Sequence, residues 1–168
     1  TYIRPFDFYT FYTAVRPLVL YSIARNRKNF DYFYRLRIQL EAAFWEEAAR
    51  RLSQEDRDEL QQILQRAERK LRGTPVEIPH REHRDFHLLI FSRLENEFVK
   101  GLLRAYWDAY EAVGLHLYFD YSYYEEMWSS HRVLVEAIAA GRYEEGQVVM
   151  IRHFNLLEDR LQGGPGKQ

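Results

Sequence analysis

The sequence predicts an all-α fold, an antiparallel bundle of about six or seven helices. Apolar residues recur at spacings of three and four along most of the 168 residues, and no stretch shows the alternation typical of a β-strand. Glycine and proline clusters are confined to short segments between these periodic stretches. A content of 46% hydrophobic and 29% charged residues is that of one globular domain with a substantial core.

The first three helices are predicted from periodicity and capping residues. The first covers residues 6–26 and contains Pro17, which is expected to kink or break it. The second covers residues 30–52 and carries apolar residues on one face. Ser53 is the expected N-cap of the third, over residues 54–71, whose largely charged surface is typical of a solvated outer helix.

The remaining four helices follow a loop at residues 73–79 that contains glycine and two prolines. A fourth helix is expected over residues 80–95, and Asn96 is the expected cap of a fifth that reaches residue 119. Ser122 is the expected start of a sixth, which ends at Gly141, and a seventh covers residues 142–161. Short turns between seven helices predict the antiparallel bundle.

The overall charge and residue content exclude several classes of protein. With 24 basic and 25 acidic residues the net charge is −1, so the chain lacks the basic surface of a nucleic-acid-binding domain. The absence of cysteine excludes disulfides and thiolate metal ligands. No apolar run approaches the ~18 residues of a membrane span, and the N-terminus lacks the apolar core of a signal peptide. We therefore expect a cytoplasmic protein without membrane contact.

Four histidines on apolar helix faces are the most informative feature of the chain, and we call them the histidine cluster: His83, His87, His131 and His153. The first two are spaced i, i+4, so their rings project from one face. The other two lie ten residues before and twelve residues after Gly141. At ~1.5 Å rise per residue, His131 and His153 lie on two antiparallel helices at positions along the axis that differ by about 3 Å. Several imidazoles that converge in a dry bundle indicate a transition-metal site.

Spacing alone leaves a second interpretation open. A single imidazole on an apolar face is more often a hydrogen-bonded core residue, and helix packing brings such faces together whatever their purpose. Two interpretations are likewise open for Arg37. Its place on the apolar face of the second helix suits a clamp for an anion such as a carboxylate. The alternative is an ion pair within the helix with Glu41, at i+4.

From residue 33 to residue 161 the chain resembles the FadR C-terminal (FCD) domain, the effector-binding half of one large GntR subfamily of bacterial transcription regulators. The spacing of 22 residues between the last two histidines is the family's own. Ser92 and Asn96 follow the second motif as in the family pattern. The motifs that carry the resemblance are Arg37-Ile-Gln-Leu40-Glu41, His83-Arg-Asp-Phe86-His87, His131-Arg-Val-Leu-Val-Glu-Ala-Ile138-Ala-Ala-Gly141 and Met150-Ile-Arg-His153.

The resemblance implies a ligand-sensing domain that dimerises and is not an enzyme. In the metal-binding members, a metal held by the histidines helps to bind a small carboxylic acid, and binding shifts two attached DNA-reading heads. Operator DNA is then contacted only through a winged-helix domain that this chain lacks. Thr1-Tyr2-Ile3 resembles the end of that domain's wing strand. Residues 1–6 are thus expected to be a remnant of wing and linker, residues 7–162 the effector domain, and residues 163–168 a disordered tail.

One position departs from the family pattern. The first metal ligand is usually aspartate, whereas this chain has His83. An all-nitrogen site favours Zn, Ni or Cu over Mn or Mg, and we expect one divalent ion per chain, Zn or Ni. Asp85 and Glu82 are expected to point off the shared face. His80 is a candidate surface or fringe ligand, and His116 is expected to be structural.

Two rival functions remain at this stage. One is a metal-dependent hydrolase or lyase, for which three imidazoles and an open water position suffice. Such chemistry needs a general base near the metal, and the sequence shows no acid on the same inner faces. The other is an acyl-CoA pocket without metal, as in the protein after which the family is named, and four histidines disfavour it.

Overall fold

The computed structural model describes residues 8–113 and 120–163. Its described residues form seven α-helices and no strand, so the predicted all-α class is confirmed. The helices are α1 (Phe8–Arg25), α2 (Lys28–Arg51), α3 (Gln54–Leu71), α4 (His80–Ile90), α5 (Glu97–Val113), α6 (Tyr121–Ala139) and α7 (Tyr143–Gly163). Among them none combines the length and apolar character that crossing a bilayer requires.

Two predicted boundaries are wrong, and the sequence also leaves open a kink or a break at Pro17. Helix α1 continues through Pro17 without a break, because its packing along α5 holds the turns on both sides of the proline. Helix α4 ends at Ile90, and the chain then turns with Ser92 Oγ donating to the carbonyl of Leu89 at 2.7 Å. Helix α6 begins one residue early, because Asp120 accepts the backbone N–H of Tyr123 at 2.9 Å as N-cap.

Other predictions fall on parts of the chain that the structure does not describe. These are the wing remnant at residues 1–6, the end of the fifth helix near residue 119, His116, and the tail beyond residue 163. The cap predicted at Asn96 is confirmed, since its Oδ1 accepts the backbone N–H groups of Phe98 and Val99 at 3.1 and 3.2 Å.

Helix α3 begins at a reciprocal cap formed by Ser53 and Asp56. Ser53 Oγ accepts the backbone N–H of Asp56 at 3.2 Å, and the Asp56 carboxylate accepts the N–H of Ser53 at 2.9 Å. Arg93 donates two further hydrogen bonds to this carboxylate, at 2.8 and 2.9 Å. The N-cap predicted at Ser53 is confirmed, and Asp56 also ties α3 to the turn after α4.

We expect Asp56→Asn to destabilise the fold by about 1 kcal/mol at neutral pH, because the charge-assisted bonds from Arg93 are lost. The hydrogen bonds from Arg93, with help from Ser53, lower the pKa of Asp56 to about 2. A lowered folded-state pKa stabilises fully above the ordinary value of 3.8, and this contribution is lost as the pH falls toward the folded value. Urea denaturation should therefore show the two proteins converging between about pH 4 and pH 2. A difference that is constant over that range contradicts this role.

The turn between α6 and α7 sets the height of two cluster histidines. Gly141 has a φ of 69°, a left-handed conformation that favours glycine. Its N–H donates to the carbonyl of Ile138 at 3.2 Å, and that of Arg142 donates to Ala137 at 2.8 Å. This Schellman ending returns the chain antiparallel along α6, as the sequence predicts.

Helix α2 reaches the site through its close contact with α7. A Cβ at Gly146 would lie 2.5 Å from the Trp45 ring, so only glycine permits this approach. Trp45 Nε1 donates to the carbonyl of Tyr143 at 2.7 Å, which holds the two helices together. Helix α2 also packs against α5, while α3 packs against α4 and α6. The bundle thus surrounds the inner faces of α4, α6 and α7.

Candidate metal centre

The structure brings together the four histidines of the cluster. Helix α4 supplies His83 and His87 from one face, α6 supplies His131, and α7 supplies His153. All four side chains are buried, and one potential ligand atom from each lies within 4.8 Å of the others. Three helices therefore place four imidazoles around one point of the core.

The closest pair already has the separation of two ligands to one ion. His87 Nε2 and His131 Nε2 lie 3.2 Å apart. Two nitrogens bound to one tetrahedral zinc at about 2.0–2.1 Å lie about 3.3 Å from each other. These two rings could thus hold an ion without moving apart.

Hydrogen bonds set the tautomers of both rings. His131 Nδ1 lies 2.7 Å from the carbonyl of Met127, and His87 Nδ1 lies 3.0 Å from Glu41 Oε2. A carbonyl and a carboxylate only accept, so each Nδ1 carries the proton and each Nε2 keeps its lone pair. A protonated nitrogen held by an acceptor and a free lone pair opposite is the usual state of a metal-bound histidine.

The other two histidines each have one ring nitrogen without a hydrogen-bond partner. His83 Nε2 and His153 Nδ1 are buried and have no hydrogen-bond partner among the described residues. Orphaned polar atoms of this kind are uncommon in protein cores and call for an ion, a water or a ligand. A transition metal would satisfy both atoms at once, so the residues present fit such an ion.

The cluster is also held in the protonation state that binds metal. Burial lowers the pKa of His131 to about 4, although its bond to Met127 opposes this shift. Burial likewise lowers the pKa of His83, His87 and His153 well below the ordinary value, and the neighbouring rings and Arg37 contribute further. The imidazoles are therefore neutral at physiological pH, as a metal ligand must be.

Arg37 and Glu41 form a buried ion pair against the cluster. Arg37 Nε donates to Glu41 Oε1 at 2.8 Å, and Nη2 donates to Oε2 at 3.2 Å. The pair that the sequence leaves open as an alternative is thus present. Arg37 Nη2 also lies 3.3 Å from His87 Nε2, the ring nitrogen that can accept, so the guanidinium borders the site as well. Its role as a ligand clamp stays a prediction.

Burial and the charge of the partner shift the pKa of each member of this pair in opposite directions. Burial alone lowers the pKa of Arg37, but the Glu41 carboxylate outweighs it and the net shift is upward. Burial raises the pKa of Glu41, and the adjacent guanidinium opposes that shift. Glu41 is an acid on an inner face, so the expectation that none lies there is wrong. Its carboxylate, however, accepts from both Arg37 and His87.

Aromatic side chains enclose the pair and the cluster. The Arg37 guanidinium carbon lies 5.0 Å from the ring centres of Tyr106 and Trp107, and 4.9 Å from that of Phe154. Trp107 also contacts the cluster from α5, and Trp128 contacts it from α6. The sequence pattern does not single out these two tryptophans or the orienting role of Glu41. Their positions beside the apolar stripes of α5 and α6 are the only local signal.

The remaining candidates lie off the centre, as the sequence predicts. Glu82 pairs with Lys70 at 2.8 Å, and Asp85 is exposed. His80 is half-buried at the start of α4, with its ring centre 6.5 Å from that of Tyr124, outside the group of converging ligand atoms.

Fold and site together define a helical domain built around a candidate transition-metal centre. The chain belongs to the FCD domain family, whose model matches residues 32–156, or 125 of the 168 residues. This family is the effector-binding domain of GntR-type regulators. No curated protein and no solved structure matches the chain.

Proposed function

We propose that this chain is a metal-dependent sensor of small carboxylates, the effector-binding and dimerisation domain of a GntR/FadR-type transcriptional regulator. The observation that carries the proposal is the convergence of four buried, neutral imidazoles, two of them with orphaned nitrogens. His83, His87, His131 and His153 would hold one divalent ion. Zn or Ni suits this all-nitrogen donor set better than Mg or Mn, which prefer oxygen.

The charge of the site supports an anionic effector. The four ligands are neutral, and the charges of Arg37 and Glu41 cancel each other. A divalent ion would therefore leave two uncompensated positive charges in the core, which is costly. A small mono- or dicarboxylate compensates this charge, and the metal supplies a Lewis acid for its oxygens. Arg37 is the proposed second contact, since its bonds to Glu41 use Nε and Nη2 but not Nη1.

The regulatory output follows from linkage. An effector changes the arrangement of two subunits only if it binds one arrangement more tightly than another. We propose a homodimer on the basis of the family, with operator DNA contacted by another part of the parent protein. A cytoplasmic location stays a prediction. The hydrolase alternative is weakened because Glu41, the acid beside the cluster, is already engaged by two partners.

Metal content is the first test. Protein stripped with a chelator and reloaded should bind one Zn or Ni ion per chain by elemental analysis and by calorimetry. His87→Ala should weaken binding strongly, whereas His80→Ala, on the same helix but outside the cluster, should not. Absence of stoichiometric metal, or equal losses in both variants, contradicts the proposal.

A further inference from the structure

Buried polar atoms without partners are concentrated at the candidate metal centre. Among the described side chains, seven buried nitrogen or oxygen atoms lack a hydrogen-bond partner, and five of them belong to the cluster or to residues beside it. Two of the five are cluster nitrogens, for which a metal would account. The other three are the Tyr106 hydroxyl and the indole nitrogens of Trp107 and Trp128. No metal satisfies the two indoles, because an indole N–H only donates.

Both indoles lie directly against the imidazoles. The Trp107 ring is centred 4.8 Å from that of His83 and 5.2 Å from that of His87. The Trp128 ring is centred 4.7 Å from that of His131. Each tryptophan is at most 2% exposed, so solvent does not satisfy its N–H. Helices α5 and α6 therefore each pack against the cluster one indole ring whose N–H has no partner.

The third tryptophan shows that this chain can satisfy a buried indole. Trp45 is fully buried, and its Nε1 donates to the carbonyl of Tyr143 at 2.7 Å where α2 meets α7. An unpaired buried donor costs free energy. Because the indole at the α2–α7 contact is paired and the two indoles beside the histidine cluster are not, we attribute the missing partner to a molecule bound at the cluster.

We propose that Trp107 and Trp128 are ligand-recognition residues, whose indole N–H groups donate to oxygens of the metal-bound carboxylate. The inference rests on the proposed function and names the protein groups that recognise the carboxylate. Imidazoles bound to a metal have no lone pair left to accept, so the rings beside the indoles cannot satisfy them, whereas oxygens of a bound acid can. Indole donors beside a positively charged ion favour oxygen-rich anions over amines.

The three indole N–H signals of the whole protein provide the test without any substitution. Protein labelled with ¹⁵N in tryptophan is titrated first with Zn²⁺ alone and then with acetate, malonate or citrate. A carboxylate that binds should shift the Trp107 and Trp128 signals downfield and leave the Trp45 signal in place. If Zn²⁺ alone shifts both signals and no acid changes them further, the acceptor is metal-bound water and the inference is overturned.

Variants that replace the indole with a phenyl ring, and so remove its N–H, give the energetic test. Trp107→Phe and Trp128→Phe should each weaken acid binding to the Zn-loaded protein by about tenfold, because one hydrogen bond to a charged group is lost. Zinc affinity should stay unchanged. Leu60→Ala is the control, since it truncates a fully buried side chain on α3, which supplies no residue to the site, and should not alter acid binding.

The outcomes separate this inference from the proposed function. If zinc does not bind, or if none of the three acids binds the loaded protein, both are overturned. If an acid binds while the indole signals and the affinities of both variants stay unchanged, only the recognition role of the tryptophans is overturned. Weaker acid binding in Leu60→Ala as well would show a general effect of truncation and would also overturn it.

Discussion

His131→Ala is expected to reduce metal affinity and thermal stability together. The ring lies at the middle of the cluster, with its Nε2 3.2 Å from that of His87 and its tautomer set by Met127. A metal that binds only the folded state contributes about 2.7 kcal/mol at a free concentration of about 100 times Kd. For a chain of this length, its loss corresponds to a fall in Tm of roughly 5–10 °C.

The comparison with metal-free protein makes this prediction specific. Without metal the Nε2 lone pairs of His131 and His87 face each other at 3.2 Å, so removing the His131 ring relieves that repulsion and the fall in Tm should be smaller. Differential scanning calorimetry with and without a chelator measures both values. His80→Ala serves as the control on α4 outside the cluster. Equal shifts in Tm with and without metal would show that His131 is only a packing residue.

Glu41→Ala is expected to have the largest combined effect on stability and metal binding. It leaves the Arg37 guanidinium buried without its partner, which costs about 3–5 kcal/mol. It also removes the acceptor that lies 3.0 Å from His87 Nδ1 and orients this ring. Loss of such an outer partner lowers metal affinity by about 10–100-fold.

Glu41→Gln separates these two contributions. Its amide oxygen can still accept from His87 Nδ1, so metal affinity should recover much of its value, while Arg37 keeps an uncompensated charge. The double variant Arg37→Met, Glu41→Gln carries no charge at the pair and should regain stability. Glu82→Gln is the matched control, because it removes another buried carboxylate, paired with Lys70, away from the centre. Unchanged zinc affinity in folded Glu41→Ala would contradict an orienting role.

The ion pair also changes how Arg37→Ala should be interpreted. A guanidinium that contacted only the ligand could be removed without effect on the metal. In the structure Arg37 is bonded to Glu41, and Glu41 to His87, so its removal affects the candidate metal centre through two hydrogen bonds. Metal affinity must therefore be measured alongside acid binding in any variant of Arg37.

The sequence by itself determines the local features of this protein. The cap at Ser53, the helix end at Gly141 and the shared face of His83 and His87 depend on residues at most a few positions apart. Hydrogen bonds of a single turn and the helical period fix such features. The antiparallel return of α7 then follows, and with it the similar height of His131 and His153, whereas the approach of α4 to both depends on packing.

Only the tertiary structure decides what surrounds that cluster. Glu41 and His87 are 46 residues apart, and they meet because α2 packs into the bundle where Gly146 lets Trp45 approach α7. No local period encodes such a contact, since it depends on the volumes of side chains from several helices at once. The same holds for the N–H of Trp107, because a donor is satisfied or orphaned only by what the completed core places opposite it.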